Sequence, residues 1–150
     1  MAINILITGG LGHIGSYLIN NLPAVYNITV VDNMFTNKYN SLFELTRNIN
    51  FINCDFSDIP VDVLESADII LHLAAISDAA NPNNHDDIET INIGLTKLFI
   101  DQCAKHSDAK FIFPSSTSVY GVSAEYVTED DDKFINPQSP YAESKVKIEN

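Results

Sequence analysis

The stretch Ile3-Asn-Ile-Leu-Ile-Thr-Gly-Gly-Leu-Gly-His-Ile-Gly15 decides the fold. Its first half is a short, β-branched apolar run that ends at glycines, the pattern of a buried strand. From Leu11 to Leu22 apolar residues fall at 14, 18, 19 and 22, a helical spacing that Pro23 ends. Between strand and helix, Gly10, Gly12 and Gly15 fit G-x-G-x-x-G. Such glycines allow a tight turn, let backbone N–H groups approach a pyrophosphate, and let the helix pack close on the sheet. The helix N-terminus adds partial positive charge for the anion. Asp32 closes a second apolar run, Ile28-Thr-Val-Val-Asp32, about 20 residues on, where a carboxylate accepts hydrogen bonds from the ribose of an adenosine. Loop and carboxylate together point to a dinucleotide. A carboxylate repels a 2′-phosphate, and the nearest cationic side chain is Lys38, so NAD is favoured over NADP.

The alternation continues outward. Ser41 to Arg47 reads as a weak helix, Phe51 to Cys54 as a third strand, and Val61 to Glu65 as a helical turn or two. Ile69 to Leu73 is a fourth strand. Asp86 to Lys105, with apolar residues at 88, 91, 95, 98, 99 and 103, is an amphipathic helix. Lys110 to Pro114 is a fifth strand, and Ser139 as N-cap with Pro140 at the first helical position opens a last helix. Strands alternating with helices mean βαβ units, hence an α/β, doubly wound parallel sheet whose ligand crevice lies at the strand C-terminal ends. The last helical pattern reaches Asn150 with no C-cap glycine and no following strand. The expectation is one dinucleotide-binding domain over 1–150, cut before its last strands and before any substrate lobe.

Composition narrows the partners. The 150 residues carry 8 basic and 20 acidic side chains, a net charge of −12, which disfavours nucleic acid and anionic membranes. The longest apolar run, Ile69 to Ile76, is broken by His72 and is too short to span a bilayer. Met1 to Thr8 has no basic n-region, so no signal peptide is expected and the protein reads as cytoplasmic. Cys54 and Cys103 read as reduced, mostly buried thiols. His13 reads as an exposed loop position, His72 as a satisfied core residue, and His85 and His106 as surface residues; no cluster has metal-ligand spacing. The acidic run Glu129 to Asp132 reads as a solvated loop.

Tyr141-Ala-Glu-Ser-Lys145 places Tyr and Lys at i and i+4 on one helix face. An ammonium beside a phenol favours the phenolate, so the tyrosine is expected to have a lowered pKa and to serve as a general base on a hydroxyl. Phe113-Pro-Ser-Ser-Thr-Ser-Val-Tyr-Gly121 follows the fifth strand and opens onto the same crevice.

These residues resemble the N-terminal half of the extended short-chain dehydrogenase/reductase family, specifically its NAD-dependent sugar-nucleotide epimerases and dehydratases, whose fold is Rossmann-type. The matching pieces are TGGLGHIG at 8–15, VVDN at 30–33, CDFSD at 54–58, HLAA at 72–75, Asn92 in INIGLTK, PSSTSVYG at 114–121 and SPYAESK at 139–145. The resemblance implies roles. Gly9, Gly12, His13, Ile14 and Gly15 form the cofactor loop; Asp32, Asn33, Thr36 and Asn37 hold the adenosine ribose; Asp55 and Phe56 contact the adenine. Leu73, Ala74 and Ala75 line the path to the nicotinamide, with Ser77 nearby on the substrate side, and Asn92 braces the central helix. Tyr141 is the catalytic base, Lys145 binds the nicotinamide ribose, and Ser116, five residues before Gly121, is the catalytic hydroxyl.

One departure narrows the chemistry. The family's 4,6-dehydratases carry Asp-Glu directly after the catalytic hydroxyl; here those positions are Thr117 and Ser118, which would face the substrate without an acid. The implied activity is 4-epimerisation of a nucleotide sugar through a 4-keto intermediate, in an enzyme that dimerises. The alternatives are a non-catalytic NAD-binding module, or a dehydratase, decarboxylase or reductase of the same family. With one arginine, Arg47, the chain offers few donors for a substrate pyrophosphate, so by itself it is expected to be catalytically incomplete.

Overall fold

The computed structural model describes residues 2–78, 85–122, 126–129 and 132–150. Backbone contacts divide the chain into two compact units. One is the chain up to Ala74 with Leu98–Pro114; the other is Ala75–Lys97 with Ser115–Asn150.

The first unit holds the sheet. Its strands are β1 (Ile3–Thr8), β2 (Tyr26–Val31), β3 (Asn50–Ile52), β4 (Ile69–His72) and β5 (Lys110–Ile112). All pairings are parallel, in the order β3-β2-β1-β4-β5. The register sets Thr8 of β1 beside Val31 of β2 and His72 of β4. The chain thus winds from β1 outward to β3, then returns to the other side of β1. That reversal is the topological switch of a doubly wound sheet, where a crevice opens at the strand C-terminal ends. Helix α1 (His13–Asn21) packs Gly15 and Ile19 inward. Ile5, Ile7, Leu11, Ile19, Ile28 and Val30 form the core around β1 and β2. Helix α2 (Val61–Glu65) is the short element its sequence indicated, with Leu64 buried. Arg47 donates to Leu22 O at 2.9 Å and Pro23 O at 3.2 Å, so the chain's one guanidinium ties down the end of α1.

The second unit contains helix α3 (His85–Asp87), a π-helix over Ile88–Leu95 and the start of helix α4 (Thr96–His106). It also holds a 3-10 turn over Thr117–Tyr120, another over Asp132–Phe134, and helix α5 (Pro140–Glu149). Ser139 caps α5 as its sequence indicated, its Oγ accepting from Ala142 N at 3.2 Å.

Two helical expectations change. The weak helix of 41–47 is a 3-10 helix over Lys38–Glu44, with no buried residue and no side-chain cap. It starts from Asn37 in the left-handed region, φ 52°, so the chain enters it from a turn without a capping geometry. The uniform helix of 86–105 contains eight residues of π-helix. Thr96 Oγ1 donates to Ile91 O at 3.2 Å, filling a carbonyl five residues back. The wider turn buries the neighbours Asn92 and Ile93 together and leaves Leu98, expected on the core face, 59% exposed.

Among the described residues, no helix is long and apolar enough to cross a membrane and no group of side chains could hold a metal ion. Cys103 is buried and Cys54 half-buried, both as free thiols. The acidic run of 129–132 falls partly outside the described residues, as does the side chain of His85; His106 is half-buried.

Candidate active site

In the first unit the glycine loop has the close approaches its spacing requires. Gly9 has φ +65°, and a Cβ there would lie 2.6 Å from Ala74 N. A Cβ on Gly15 would strike Gly10 O, and one on Gly10 would lie 2.6 Å from a Val30 methyl. Gly12 is the N-cap of α1, in extended geometry and without a side-chain cap, so the helix's first N–H groups are not taken by a side chain of the loop. His13 and Ile14, both exposed, occupy that first turn. A backbone cradle with no Cβ and a positive helix end fits a pyrophosphate.

Asp32 terminates this cradle. Its carboxylate accepts from Leu11 N at 3.1 Å and from Met34 N at 2.8 Å, which ties the loop after β1 to the loop after β2. Asn33 donates to Asp55 Oδ2 at 2.9 Å, and Asp55 Oδ1 accepts from Ser57 N at 3.2 Å. Met34 and Asn37 have φ of 55° and 52°, and Thr36 is exposed between them. Hydrogen bonds therefore join Asn33 to Asp55 and Asp32 to Met34, whose carbonyl accepts from Asn37 N. Phe56 does not join them by its side chain. It is 5% exposed, edge-on to His72 at 4.8 Å and to Phe99 at 5.6 Å, so an aromatic core holds the ring. Leu73 and Ala74 follow β4 beside the loop, Leu73 N donating to Thr8 O at 3.0 Å.

The second unit carries the hydroxyl and Tyr–Lys residues. Ser116 caps the 3-10 turn; its Oγ accepts from Ser118 N at 3.2 Å and lies 2.7 Å from Ser118 Oγ. Thr117 is exposed, and this turn packs on α5. On α5, Lys145 places its Nζ 5.6 Å from the centre of the Tyr141 ring. Asn92 braces the unit: its Oδ1 accepts from Ile76 N and its Nδ2 donates to Ile76 O, both at 2.8 Å, with Ser144 Oγ at 3.4 Å. Its amide is therefore occupied by protein and fixes the 75–78 segment, where Ala75 and Ser77 are exposed. Ser144 Oγ donates to Tyr141 O at 2.7 Å, a link that the polar residue inside the Tyr-x-x-x-Lys face could have signalled.

Electrostatics correct one expectation. Burial pushes the Tyr141 phenol above its ordinary value, the reverse of the lowering expected from the neighbouring lysine. Lys145 instead absorbs the conflict: 5% exposed, it falls to about 8 through desolvation, opposed by Glu149. Burial disfavours the charged form of both groups, and the ammonium yields first.

The model of the NAD dependent epimerase/dehydratase family matches residues 5–150. This chain belongs to the NAD-dependent epimerase/dehydratase family. A putative UDP-glucose 4-epimerase of Methanocaldococcus jannaschii is 32% identical over 147 residues, covering 94% of this chain and 47% of the relative. A UDP-N-acetyl-alpha-D-glucosaminuronate decarboxylase of Bacillus cytotoxicus is 34% identical over 139 residues, covering 89% and 43%. The crystal structure of UDP-glucuronic acid 4-epimerase from Bacillus cereus with UDP-glucuronic acid and NAD superposes with a TM-score of 0.85 at 32% identity, covering 98% of this chain and 50% of that one. The chain spans about half the length of the relatives it matches. This epimerase/dehydratase family member carries Ser116, Tyr141 and Lys145 in one unit, with Thr117 and Ser118 directly after the serine.

Proposed function

We propose that this chain is the NAD-binding and catalytic half of a nucleotide-sugar 4-epimerase, an NAD-binding domain over 1–150 completed by a substrate-binding lobe. The observation that carries the reading is the Tyr141–Lys145 pair on α5, packed with the Ser116 turn in one unit. Bound NAD would supply a reversible hydride acceptor. The 9–15 loop, Asp32 and Asp55 would hold it, and Lys145 would bind its nicotinamide ribose. Tyr141 takes the proton of the C4 hydroxyl and later returns one to the C4 oxygen, once the 4-keto sugar has turned its opposite face toward the cofactor. Ser116 donates a hydrogen bond to the reacting oxygen. Fixed donors and a fixed base lower the barrier by positioning.

Thr117 and Ser118 support epimerisation over elimination of water, since neither supplies an acid. The decarboxylase likeness keeps a second outcome measurable. The functional protein is further proposed to be a homodimer and cytoplasmic.

The first test is a titration with NADH and NADPH followed by cofactor fluorescence; saturable NADH binding with much weaker NADPH binding supports the reading. Incubation of the protein completed by its substrate lobe with NAD and UDP-glucuronic acid or UDP-glucose then separates the chemistries. The C4 epimer without net NADH supports the proposal. Release of CO₂ or a stable keto product replaces it with the decarboxylase or dehydratase reading.

A further inference from the structure

We propose that His72 is a positioning residue for the cofactor loop, fixing the Thr8 hydroxyl so that it pins the backbone of Ala74 against Gly9. The inference rests on the NAD reading above and adds to it a residue of the sheet interior.

Thr8 is the last residue of β1 and His72 the last of β4, paired across the sheet. Both are fully buried, at 0% and 1% exposure. Thr8 Oγ1 lies 2.7 Å from His72 Nδ1 and accepts from Ala74 N at 3.4 Å. A backbone N–H only donates, so toward Ala74 the hydroxyl is an acceptor. Its own proton then needs an acceptor in a dry site, and Nδ1 is the partner in reach. The geometry therefore assigns Nδ1 as unprotonated and places the ring proton on Nε2. Aromatic packing holds the ring: Phe56 meets it edge-on, Phe99 lies 5.0 Å away, and Phe113 stacks at 6.0 Å with planes 22° apart. A clamped ring fixes the hydroxyl, and the hydroxyl directs Ala74 N. Ala74 is the backbone on which Gly9 rests, close enough that no Cβ fits between them. This contact lies at the topological switch, where a pyrophosphate would cross the strand ends. The adenosine-side groups Asp32 and Asp55 follow other strands and take their hydrogen bonds from Leu11, Met34, Asn33 and Ser57 rather than from Thr8, His72 or Ala74.

The test uses this chain with NADH and AMP as probes, in unmodified form and as Thr8→Val, Thr8→Ser and His72→Phe. Thr8→Val keeps shape and removes the hydroxyl; Thr8→Ser restores it; His72→Phe keeps an aromatic ring and removes the acceptor. Thr8→Val and His72→Phe are expected to weaken NADH binding about tenfold, the worth of one buried hydrogen bond, with AMP binding unchanged and Thr8→Ser close to the unmodified chain. Nitrogen-15 spectra of the imidazole are expected to show an unprotonated Nδ1. The proposal is overturned by a protonated Nδ1, by parallel loss of NADH and AMP, or by unchanged NADH affinity in a variant that still unfolds cooperatively. If Thr8→Val does not fold, His72→Phe decides. An unmodified chain that binds AMP but not NADH overturns the positioning role alone; one that binds neither overturns the NAD reading as well, and the nitrogen spectra still report whether the Thr8–His72 pair exists.

Discussion

Lys145 concentrates the conflict between stability and chemistry in a single side chain. An unfolded lysine holds its proton to 10.5, whereas the buried Lys145 gives it up at about 8. Between these values the unfolded state binds more protons, so stability rises with pH across this window, and the penalty is fully present below 8. Tyr141 acts with the opposite sign: its raised phenol favours the unfolded state as pH climbs past 10. Lys145→Met is therefore expected to raise stability at pH 7 by ~2–3 kcal/mol and to flatten the rise between pH 8 and 10, while weakening NADH binding. Urea titrations of both forms at several pH values check this; an unchanged slope with pH would assign the effect elsewhere. The sequence showed that Tyr141 and Lys145 share a helix face. It did not show their burial, which reverses the expected direction of the tyrosine shift.

The elements differ in how much of their form is local. Helix α5 is written in its own residues: Ser139 bonds Ala142 N and Pro140 occupies the first turn. Ser139→Ala is expected to cost ~1 kcal/mol, read as a lower urea midpoint with unchanged slope. The π-helix of 88–95 is not written this way. A period near 3.6 is a poor guide once a turn takes an extra residue, as it does where Thr96 Oγ1 reaches Ile91 O. Gly94 has open space, a Cβ there lying 3.8 Å from Glu89 O, and an ordinary negative φ. Gly94→Ala is expected to stabilise by ~0.5–1 kcal/mol through the unfolded chain, checked by thermal unfolding. Destabilisation would mean that the wide turn needs the glycine's freedom.

For the whole molecule the governing quantity is charge. With 20 acidic and 8 basic side chains, self-repulsion opposes the folded state more than the unfolded one. Raising NaCl from ~0.02 to ~0.5 M shortens the screening length to a few ångströms and is expected to move the urea midpoint upward. A falling midpoint would show that specific ion pairs outweigh the net charge. The chain's own residues determined much. The strand–glycine–helix spacing indicated the parallel sheet, Asp32 marked the expected cofactor edge, and the Tyr-x-x-x-Lys and hydroxyl runs marked the candidate chemistry, because each is a local pattern of residue type, backbone freedom or helical period. Only the tertiary structure decided that Phe56 turns its ring into an aromatic core, that Arg47 ties down a helix end, and that Thr8 and His72 pair across β1 and β4. Those outcomes depend on which side chains compete for the same buried space and the same hydrogen-bond partners, and residues 64 positions apart reveal that competition only once the sheet has brought them together.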